Sequence, residues 1–146
     1  MTSGNEARIL CIDDDVHTSV WVKGALKLYK IDCEITTAKS GREAFRLLNN
    51  EKFDLCILEY ALPDMTGVQL CSLMRQMGCT VPMMFLTAMN RAIDREKAAA
   101  AGASDYLCKP DDLDLFADAA AHLIRKHRKR YAAPAVEFLK DYARAA

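Results

Sequence analysis

The 146-residue sequence lacks the features that mark membrane, secreted and strongly charged proteins. No apolar run approaches the roughly 20 residues that a membrane-spanning helix needs. The first residues, MTSGNEAR, lack the basic and then apolar pattern of a secretory signal. Twenty Lys and Arg residues balance twenty Asp and Glu residues, so no overall charge points to nucleic acid or a membrane surface. We therefore expect a cytoplasmic protein built around one domain.

The six cysteines lack the spacing of a metal site or a disulfide framework. No two of them form a CxxC pair, and no histidine is placed near such a pair, so zinc ligation is not indicated. Most of them lie inside short apolar runs. We expect small buried hydrophobic side chains in a reducing compartment.

The sequence does contain short apolar runs that alternate five times with helical patterns. The runs have strand length and are almost continuously apolar or β-branched, as in strands covered on both faces. They are RILCI (8–12), CEITT (33–37), FDLCIL (53–58), PMMFL (82–86) and SDYLC (104–108). The alternation predicts right-handed βαβ crossovers and a doubly wound parallel α/β sheet.

The segments between the runs predict five helices from periodicity and end signals. Ser40 and Glu43 form a capping-box pattern, and Asn90 can cap the fourth helix. Gly78 and Gly102 can end the third and fourth helices. The apolar positions expected to face the sheet are Val16, Val20, Ala25 and Leu28 in 16–30; Ala44, Leu47 and Leu48 in the second helix; Leu70, Leu73, Met74 and Met77 in the third; and Leu113, Phe116, Ala117, Ala120 and Ile124 in 112–130.

Polar residues follow four of the five predicted strands. Residues 13–15 are three aspartates after the first strand; Glu59, Thr87 and Lys109 follow the third, fourth and fifth. The carboxyl ends of parallel strands meet at one edge, where such sheets bind ligands. A carboxylate cluster there favours a hard cation such as Mg²⁺, and the hydroxyl and ammonium could hold phosphoryl oxygens. Alternatively, the aspartates simply begin the first helix, where its dipole favours acids.

Four segments in order resemble the receiver domain of bacterial two-component response regulators (CheY-like). They are ILCIDDD, ALPDMTG, VPMMFLTA and GASDYLCKP, and the resemblance extends from residue 7 to about residue 126. It implies a flavodoxin-like (βα)5 fold with strand order 2-1-3-4-5. It also implies that an aspartate ending the third strand accepts a phosphoryl group from a histidine kinase.

The resemblance implies a Mg²⁺ site, in which Asp13, Asp14 and the backbone carbonyl of Ala61 bind the ion with the acceptor. This sequence departs from the family at the acceptor position, where Glu59 replaces aspartate. The extra methylene moves the carboxylate outward by about 1.5 Å. Both in-line transfer and octahedral Mg²⁺ coordination depend on close geometry, so we expect Mg²⁺ binding to be weak or absent.

The resemblance also assigns the switch that follows phosphorylation. Thr87 would swing toward the phosphate, Tyr106 would rotate inward with it, and Lys109 would pair with the new charge. The peptide bond before Pro110 is commonly cis in this family. Without the resemblance, Thr87 and Tyr106 would be interpreted as ordinary strand residues.

Two phosphorylation-independent interpretations follow from Glu59. In the first, its carboxylate partly mimics a phosphate, pairs with Lys109 and attracts the Thr87 hydroxyl. In the second, it only neutralises Lys109 and freezes the switch. A receiver that is still regulated by phosphorylation or Mg²⁺ remains an alternative. A small phosphotransfer or phosphatase enzyme would need a second nucleophile or cap domain, and a flavin site would need a Ser/Thr/Gly-rich cradle; the sequence offers neither.

The leading hypothesis is a non-enzymatic signalling protein that binds a histidine kinase or a downstream effector. The resemblance implies contacts, including a possible homodimer, through the fourth helix, fifth strand and fifth helix. We divide the chain into a receiver domain at 1–126 and a basic linker with an extra helix at 127–146. Val136, Leu139 and Tyr142 have helical spacing after Pro134. The basic run 125–130 could touch nucleic acid, but placement at a helix C-terminus explains it as well. These residues contain no helix-turn-helix motif, so DNA binding by this chain is not expected.

Overall fold

The computed structural model describes residues 5–145, with side chains described for residues 5–130. Within these residues, five strands alternate with five α-helices, and a 3₁₀ turn at Leu113–Leu115 precedes the last helix. The strands are β1 Ala7–Ile12, β2 Cys33–Ala38, β3 Leu55–Leu58, β4 Met83–Thr87 and β5 Asp105–Cys108. The helices are α1 Val16–Leu28, α2 Gly41–Asn50, α3 Gly67–Gln76, α4 Ala92–Ala101 and α5 Phe116–Ala145. No helix in this part of the chain is both long and apolar enough to cross a membrane.

The strands form one parallel sheet in the order β2-β1-β3-β4-β5. Ile12 at the end of β1 pairs with Ala38 of β2 and Leu58 of β3, and Thr87 of β4 pairs with Cys108 of β5. These strands therefore end at a common edge, which we call the carboxyl edge. The predicted flavodoxin-like sheet with order 2-1-3-4-5 is confirmed.

Alternating side chains of the sheet enter two apolar layers. Leu58 and Phe85 pack in the layer that contains residues of α2, α3 and α4. Ile57 and Met84 pack in the layer that contains residues of α1 and α5. The sheet is thus covered on both faces, as the continuous apolar runs predict, although the edge strand β2 is only partly buried.

The apolar face predicted for α1 is wrong. The sequence predicts a sheet-facing stripe of Val16, Val20, Ala25 and Leu28. Of these four only Ala25 packs on the core; Val16 is 57% exposed, Val20 72% and Leu28 84%. Thr18, Val22 and Leu26 are buried instead. Successive residues turn by about 100°, so Val16 and Val20, two positions before Thr18 and Val22, lie nearly opposite them.

Helix ends agree with the sequence in three places and differ in one. Ser40 accepts the Glu43 amide at the start of α2, and Gly78 and Gly102 follow α3 and α4 with φ of +85° and +104°. Asn90 does not cap α4. Residue 91 holds the cap position without a side-chain cap hydrogen bond, because a guanidinium has no acceptor for a backbone amide; it donates instead to a carboxylate in the first helical turn.

The predicted stripe of α3 is half correct. Leu70 and Met74 are buried, whereas Leu73 and Met77 are 39% and 53% exposed. Leu70 and Met74 follow one i, i+4 row, and Leu73 and Met77 follow the next row around the helix. Only the first of these rows meets the sheet.

α5 continues past residue 130, where the predicted fifth helix ends, and past Pro134 to Ala145. An interior proline removes one helical hydrogen bond, and the alanine-rich sequence around it favours helix. Phe116, Ala120 and Ile124 are buried as predicted. The side chains of Val136, Leu139 and Tyr142 lie outside the described ones, and the domain boundary at residue 126 stays a prediction.

The cysteines behave mainly as small apolar residues. Four are buried, Cys33 and Cys79 are partly buried, and all six are free thiols. Burial raises the pKa of the Cys11 thiol to about 12, so this thiol stays protonated at neutral pH.

Candidate functional site

Backbone hydrogen bonds hold three residues at the carboxyl edge: Thr87, which ends β4, and Glu59 and Lys109, which directly follow β3 and β5. The amide of Glu59 donates to the carbonyl of Ile12 at 2.9 Å, which extends the β1–β3 pairing by one residue. The amide of Lys109 donates to the carbonyl of Thr87 at 2.8 Å, which does the same for β4 and β5. Glu59, Thr87 and Lys109 are therefore held by the sheet itself.

The carboxylate of Glu59 contacts three groups of different chemistry. Oε1 accepts hydrogen bonds from the backbone amide of Tyr60, at 2.7 Å, and from the hydroxyl of Thr87. Oε2 lies 3.4 Å from Nζ of Lys109, and the Glu59 side chain is only 16% exposed. One partly buried carboxylate thus joins the ends of β3, β4 and β5.

Asp13 forms the second acidic part of the site and is buried. Its Oδ1 accepts the amide of Asp15 at 2.9 Å, and its Oδ2 accepts the hydroxyl of Thr18 at 2.7 Å. Nζ of Lys109 lies 3.7 Å from Oδ2, so this ammonium contacts both Asp13 and Glu59. Asp14 is exposed and forms no hydrogen bond or ion pair with the described side chains.

Tyr106 lies inside the protein. Its side chain is 9% exposed, and its hydroxyl donates to the carbonyl of Met89 at 2.7 Å. Its ring stacks on Phe85, with centroids 5.4 Å apart. Burial raises the pKa of the phenol to about 12, so the hydroxyl remains a donor at neutral pH. The peptide bond between Lys109 and Pro110 is cis.

A tight loop carries the chain from Glu59 to α3. Ala61 forms an isolated antiparallel bridge with Thr66, and the Gly67 amide donates to the carbonyl of Tyr60 at 2.6 Å. A Cβ atom at Gly67 would collide with the carbonyl oxygen of Glu59. This position therefore needs glycine for close approach of two backbone segments.

The predicted Mg²⁺ ligands do not form a metal site in this arrangement. Among the residues with described side chains, no three or more His, Cys, Asp or Glu groups are placed to hold an ion. Asp13 and Glu59 instead share the ammonium of Lys109, whose positive charge already lies where a cation would interact with them. Weak or absent Mg²⁺ binding remains a prediction.

Sequence reasoning missed a buried acidic residue on α4. The Asp94 side chain is 1% exposed and accepts both Nε and Nη2 of Arg91, each at 2.9 Å. The hydrogen bonds from Arg91 hold the pKa of the Asp94 carboxyl below its ordinary value, and the nearby Tyr60 side chain lowers this pKa further. The Arg–x–x–Asp spacing at the start of a helix was the available signal, but it does not reveal burial.

A second missed residue, Arg95 on α4, positions the Tyr106 region. Its guanidinium carbon lies 5.1 Å from the centroid of the Tyr106 ring. Nη1 donates to the Tyr106 carbonyl at 3.2 Å, and Nη2 donates to Sγ of Cys108 at 3.0 Å. α4 is thus linked to the site through Tyr60 on one side and through Tyr106 on the other.

The comparisons with known proteins concern the family and the fold of the chain. A family model described as the response regulator receiver domain matches residues 9–121. The transcriptional regulatory protein TctD of Salmonella typhimurium is 33% identical over 109 residues, which are 73% of this chain and 47% of TctD. The transcriptional regulatory protein TrcR of Mycobacterium tuberculosis is 32% identical over 139 residues, which are 94% of this chain and 52% of TrcR. The chain spans about half the length of these curated relatives.

A solved two-component response regulator from Clostridium difficile gives the same result for the fold. It is 31% identical, has a TM-score of 0.72, and is matched over 82% of this chain and 97% of its own. The names of these relatives describe regulators, and none of them names an enzyme. The chain belongs to the response regulator receiver domain family of two-component signal transduction systems.

Proposed function

We propose that this receiver domain signals without phosphorylation, because Glu59 occupies the phosphoacceptor position and engages the groups that would respond to a phosphate. Glu59 directly follows β3, which is where the family resemblance places the acceptor aspartate. The longer side chain of glutamate places its carboxylate poorly for in-line phosphoryl transfer. The same length lets the carboxylate reach the switch residues.

The observation that carries this proposal is the set of contacts of one carboxylate. Oε1 of Glu59 accepts the hydroxyl of Thr87, and Oε2 lies 3.4 Å from Nζ of Lys109. These are the two side chains that the resemblance assigns to the phosphate. A charge-assisted hydrogen bond contributes about 1.5–3 kcal/mol, which is enough to bias a two-state switch.

The position of Tyr106 favours partial phosphate mimicry over a frozen, inactive switch. The resemblance implies that this aromatic residue turns inward in the active state, and here its ring is 9% exposed and stacked on Phe85. Mimicry is incomplete, because a carboxylate carries one charge and two oxygens, whereas a phosphate carries about −1.5 to −2 charges and three oxygens. We infer a domain biased toward its active conformation.

The output of the domain, in this proposal, is contact with other signalling proteins in the cytoplasm. The contact surface would comprise α4, β5 and α5, where Arg95 and Tyr106 connect the site to α4. A histidine kinase, a downstream effector or a second copy of the chain could bind there. Nucleic-acid binding by this chain, direct catalysis and Mg²⁺ dependence are not part of the proposal.

A phosphorylation assay tests the central claim. The purified chain is incubated with acetyl phosphate and Mg²⁺, and separately with beryllofluoride and Mg²⁺, and intact mass and NMR spectra are recorded. We expect no adduct on the wild-type chain, and an adduct on Glu59→Asp. A stable phosphoryl adduct at Glu59, or tight Mg²⁺-dependent beryllofluoride binding, would refute the proposal.

The variant Glu59→Gln separates mimicry from a frozen switch. Glutamine keeps the length of the side chain but removes its charge, so the attraction for Lys109 and the strength of the Thr87 hydrogen bond both fall. Under mimicry, the NMR signals of Met89 and Tyr106 should shift away from their wild-type positions. Unchanged signals would favour the frozen interpretation, and turnover of a phosphate ester by the wild-type chain would favour an enzyme.

A further inference from the structure

A cleft lies at the end of the sheet opposite Glu59, and we call it the amino-edge cleft. It consists of two adjoining cavities of about 560 and 370 Å³ that share Cys79, Thr80 and His127 as lining residues. Asp54, Pro82 and Ser104 immediately precede β3, β4 and β5. Asp54 lines the larger cavity, and Pro82 and Ser104 line the smaller one. The cleft is therefore separate from the site at the carboxyl edge.

The smaller cavity is lined by cations. Arg75, Lys126 and Arg130 contribute to it, and none of its described lining residues is acidic. None of these three cations forms an ion pair with a carboxylate among the side chains of residues 5–130. Lys126 and Arg130 are exposed to solvent, and an anion in the cavity would be attracted by all three charges.

Arg75 is held rigidly in this wall. Its Nε donates to the carbonyl of Gly102 at 3.0 Å, and its Nη1 donates to the carbonyls of Cys79 and Val81, both at 2.8 Å. These bonds fix the guanidinium in place without neutralising its charge. The rigid position lowers the entropy cost of binding an anion.

Neutral donors accompany the cations. Oγ of Ser104 accepts the amide of Met83 at 3.0 Å, which leaves its hydroxyl proton able to donate to a ligand. Thr80 is exposed at the boundary of the two cavities and brings a second hydroxyl. Ammonium, guanidinium and hydroxyl donors together are the usual partners of phosphate oxygens.

The basic run of α5 is not explained by a helix end. Lys126 and Arg130 belong to the run 125–130, for which placement at a helix C-terminus offered an alternative explanation. α5 continues to Ala145, so the run lies in the middle of the helix, beyond the last turn where the dipole acts. The cavity supplies a different reason for these charges.

The larger cavity is mainly apolar and its acidic residues are paired. Phe53, Met77 and Val81 contribute apolar lining. The carboxylate of Glu51 binds Arg8, and that of Asp54 binds Arg128, each at 3.0 Å. These acids therefore repel an incoming anion only weakly, and the apolar surface can receive the uncharged part of a ligand.

We propose that the amino-edge cleft binds a small organic phosphate, with the phosphate in the cationic cavity and an aromatic or apolar group in the larger cavity. The smaller cavity alone exceeds the size of inorganic phosphate, and both fall within the range of about 300–1,000 Å³ that is typical of small-molecule sites. This proposal does not depend on Glu59 or on the proposed function.

A titration with AMP, adenosine and inorganic phosphate tests the proposal. The full chain is titrated with each by calorimetry, and amide shifts are followed by NMR. We expect AMP to bind at least tenfold more tightly than either of its halves, because it occupies both cavities. We expect the shifts to centre on Thr80 and Ser104, and not on Thr87 or Lys109.

Variants locate the site. Lys126→Ala/Arg130→Ala should weaken AMP binding at least tenfold, and Thr80→Glu, which adds an acid at an exposed boundary position, should weaken it to a similar degree. The matched control is Lys23→Ala/Lys27→Ala, which removes two exposed cations from α1 and should leave the affinity unchanged.

Three kinds of result would overturn the proposal. One is an AMP affinity that only equals the affinities for adenosine and phosphate, or that Lys126→Ala/Arg130→Ala leaves intact. Another is amide shifts centred on Thr87 and Lys109, which would indicate binding at the carboxyl edge. The third is binding of single-stranded DNA oligomers with an affinity that rises with their length, while AMP does not bind; this would identify a nucleic-acid surface.

Discussion

The two edges of the sheet handle positive charge in opposite ways. At the carboxyl edge, Lys109 lies 3.4 Å from Glu59 and 3.7 Å from Asp13, so the chain supplies its own counter-charges. At the amino edge, Lys126 and Arg130 line a cavity without an acidic lining residue among those described. A cation that is paired within the chain is held without a ligand, whereas cations without a carboxylate partner remain able to bind an external anion.

The difference also concerns backbone packing. At the carboxyl edge, the loop after β3 comes so close to α3 that Gly67 has no room for a side chain. At the end of α3 that borders the amino-edge cleft, a Cβ atom on Gly78 would meet nothing within 4 Å. One edge is closed by the chain itself, and the other is open.

Gly67→Ala should have the largest effect, because it breaks the closed edge through its backbone. The new methyl group would collide with the Glu59 carbonyl and lie 2.9 Å from Cε1 of Phe85. We expect a loss of about 2–3 kcal/mol in the free energy of unfolding, as for overpacked core sites. Urea unfolding measures it. Gly78→Ala, which strains only a positive φ, should cost about 1 kcal/mol; equal losses would contradict this contrast between the edges.

Lys109→Met tests whether the ammonium stabilises the carboxyl edge. Methionine keeps much of the apolar stem but leaves Asp13 and Glu59 near each other without their shared cation. Because the Lys109 side chain is 30% exposed, we expect a moderate loss of about 1–2 kcal/mol in unfolding free energy. Added Mg²⁺ should restore part of this loss in the variant and have little effect on the wild type. No loss in urea unfolding would mean that the charges at this edge are already balanced by solvent.

The sheet could be predicted from sequence because its signal is redundant. Five apolar runs separated by helical patterns leave few alternatives to a parallel sheet, and the ends of such strands must meet. The buried face of α1 could not be predicted, because apolar residues such as Val20 and Leu28 also occur on the exposed side of the helix. Periodicity then gives no preferred face, and only packing against the sheet selects Val22 and Leu26.

The carboxyl-edge site was predictable as a set of residues, whereas the contact between Glu59 and the Thr87 hydroxyl was only one of two interpretations of the sequence. Strand ends bring Glu59, Thr87 and Lys109 together, whereas the hydrogen bond from Thr87 depends on side-chain rotamers. The amino-edge cleft gives almost no sequence signal. Its lining comes from segments separated along the chain, such as Arg75, Ser104 and Arg130, and no spacing pattern joins them.

Asp94→Asn tests the ion pair with Arg91 through the pH dependence of stability. Its effect at neutral pH should be smaller than that of Lys109→Met, because asparagine still accepts a hydrogen bond. Hydrogen bonds from Arg91 lower the pKa of the Asp94 carboxyl below its ordinary value of 3.8. A lowered folded-state pKa stabilises the protein above pH 3.8, and this stabilisation is lost as the pH falls through the folded-state value. Urea midpoints across this range should therefore fall less steeply for Asp94→Asn than for the wild type. Arg91→Gln should likewise make the urea midpoint fall less steeply as the pH is lowered. If the midpoints of the variants and the wild type fall in parallel, the pair has no role in acid stability.

Lys126→Ala/Arg130→Ala should have the smallest effect on stability. The sign of the change in unfolding free energy should also be opposite to that of Lys109→Met, which distinguishes the two edges. Neither cation has a carboxylate partner among residues 5–130, so phosphate-free urea unfolding should change by no more than about 0.5 kcal/mol. At low salt the change should be toward greater stability, because repulsion around the cavity is relieved. AMP should then raise the unfolding free energy of the wild type and leave that of the variant unchanged, since a ligand stabilises only the state that binds it. A loss as large as that of Lys109→Met would mean that the cations of the amino edge, like Lys109, are paired within the chain.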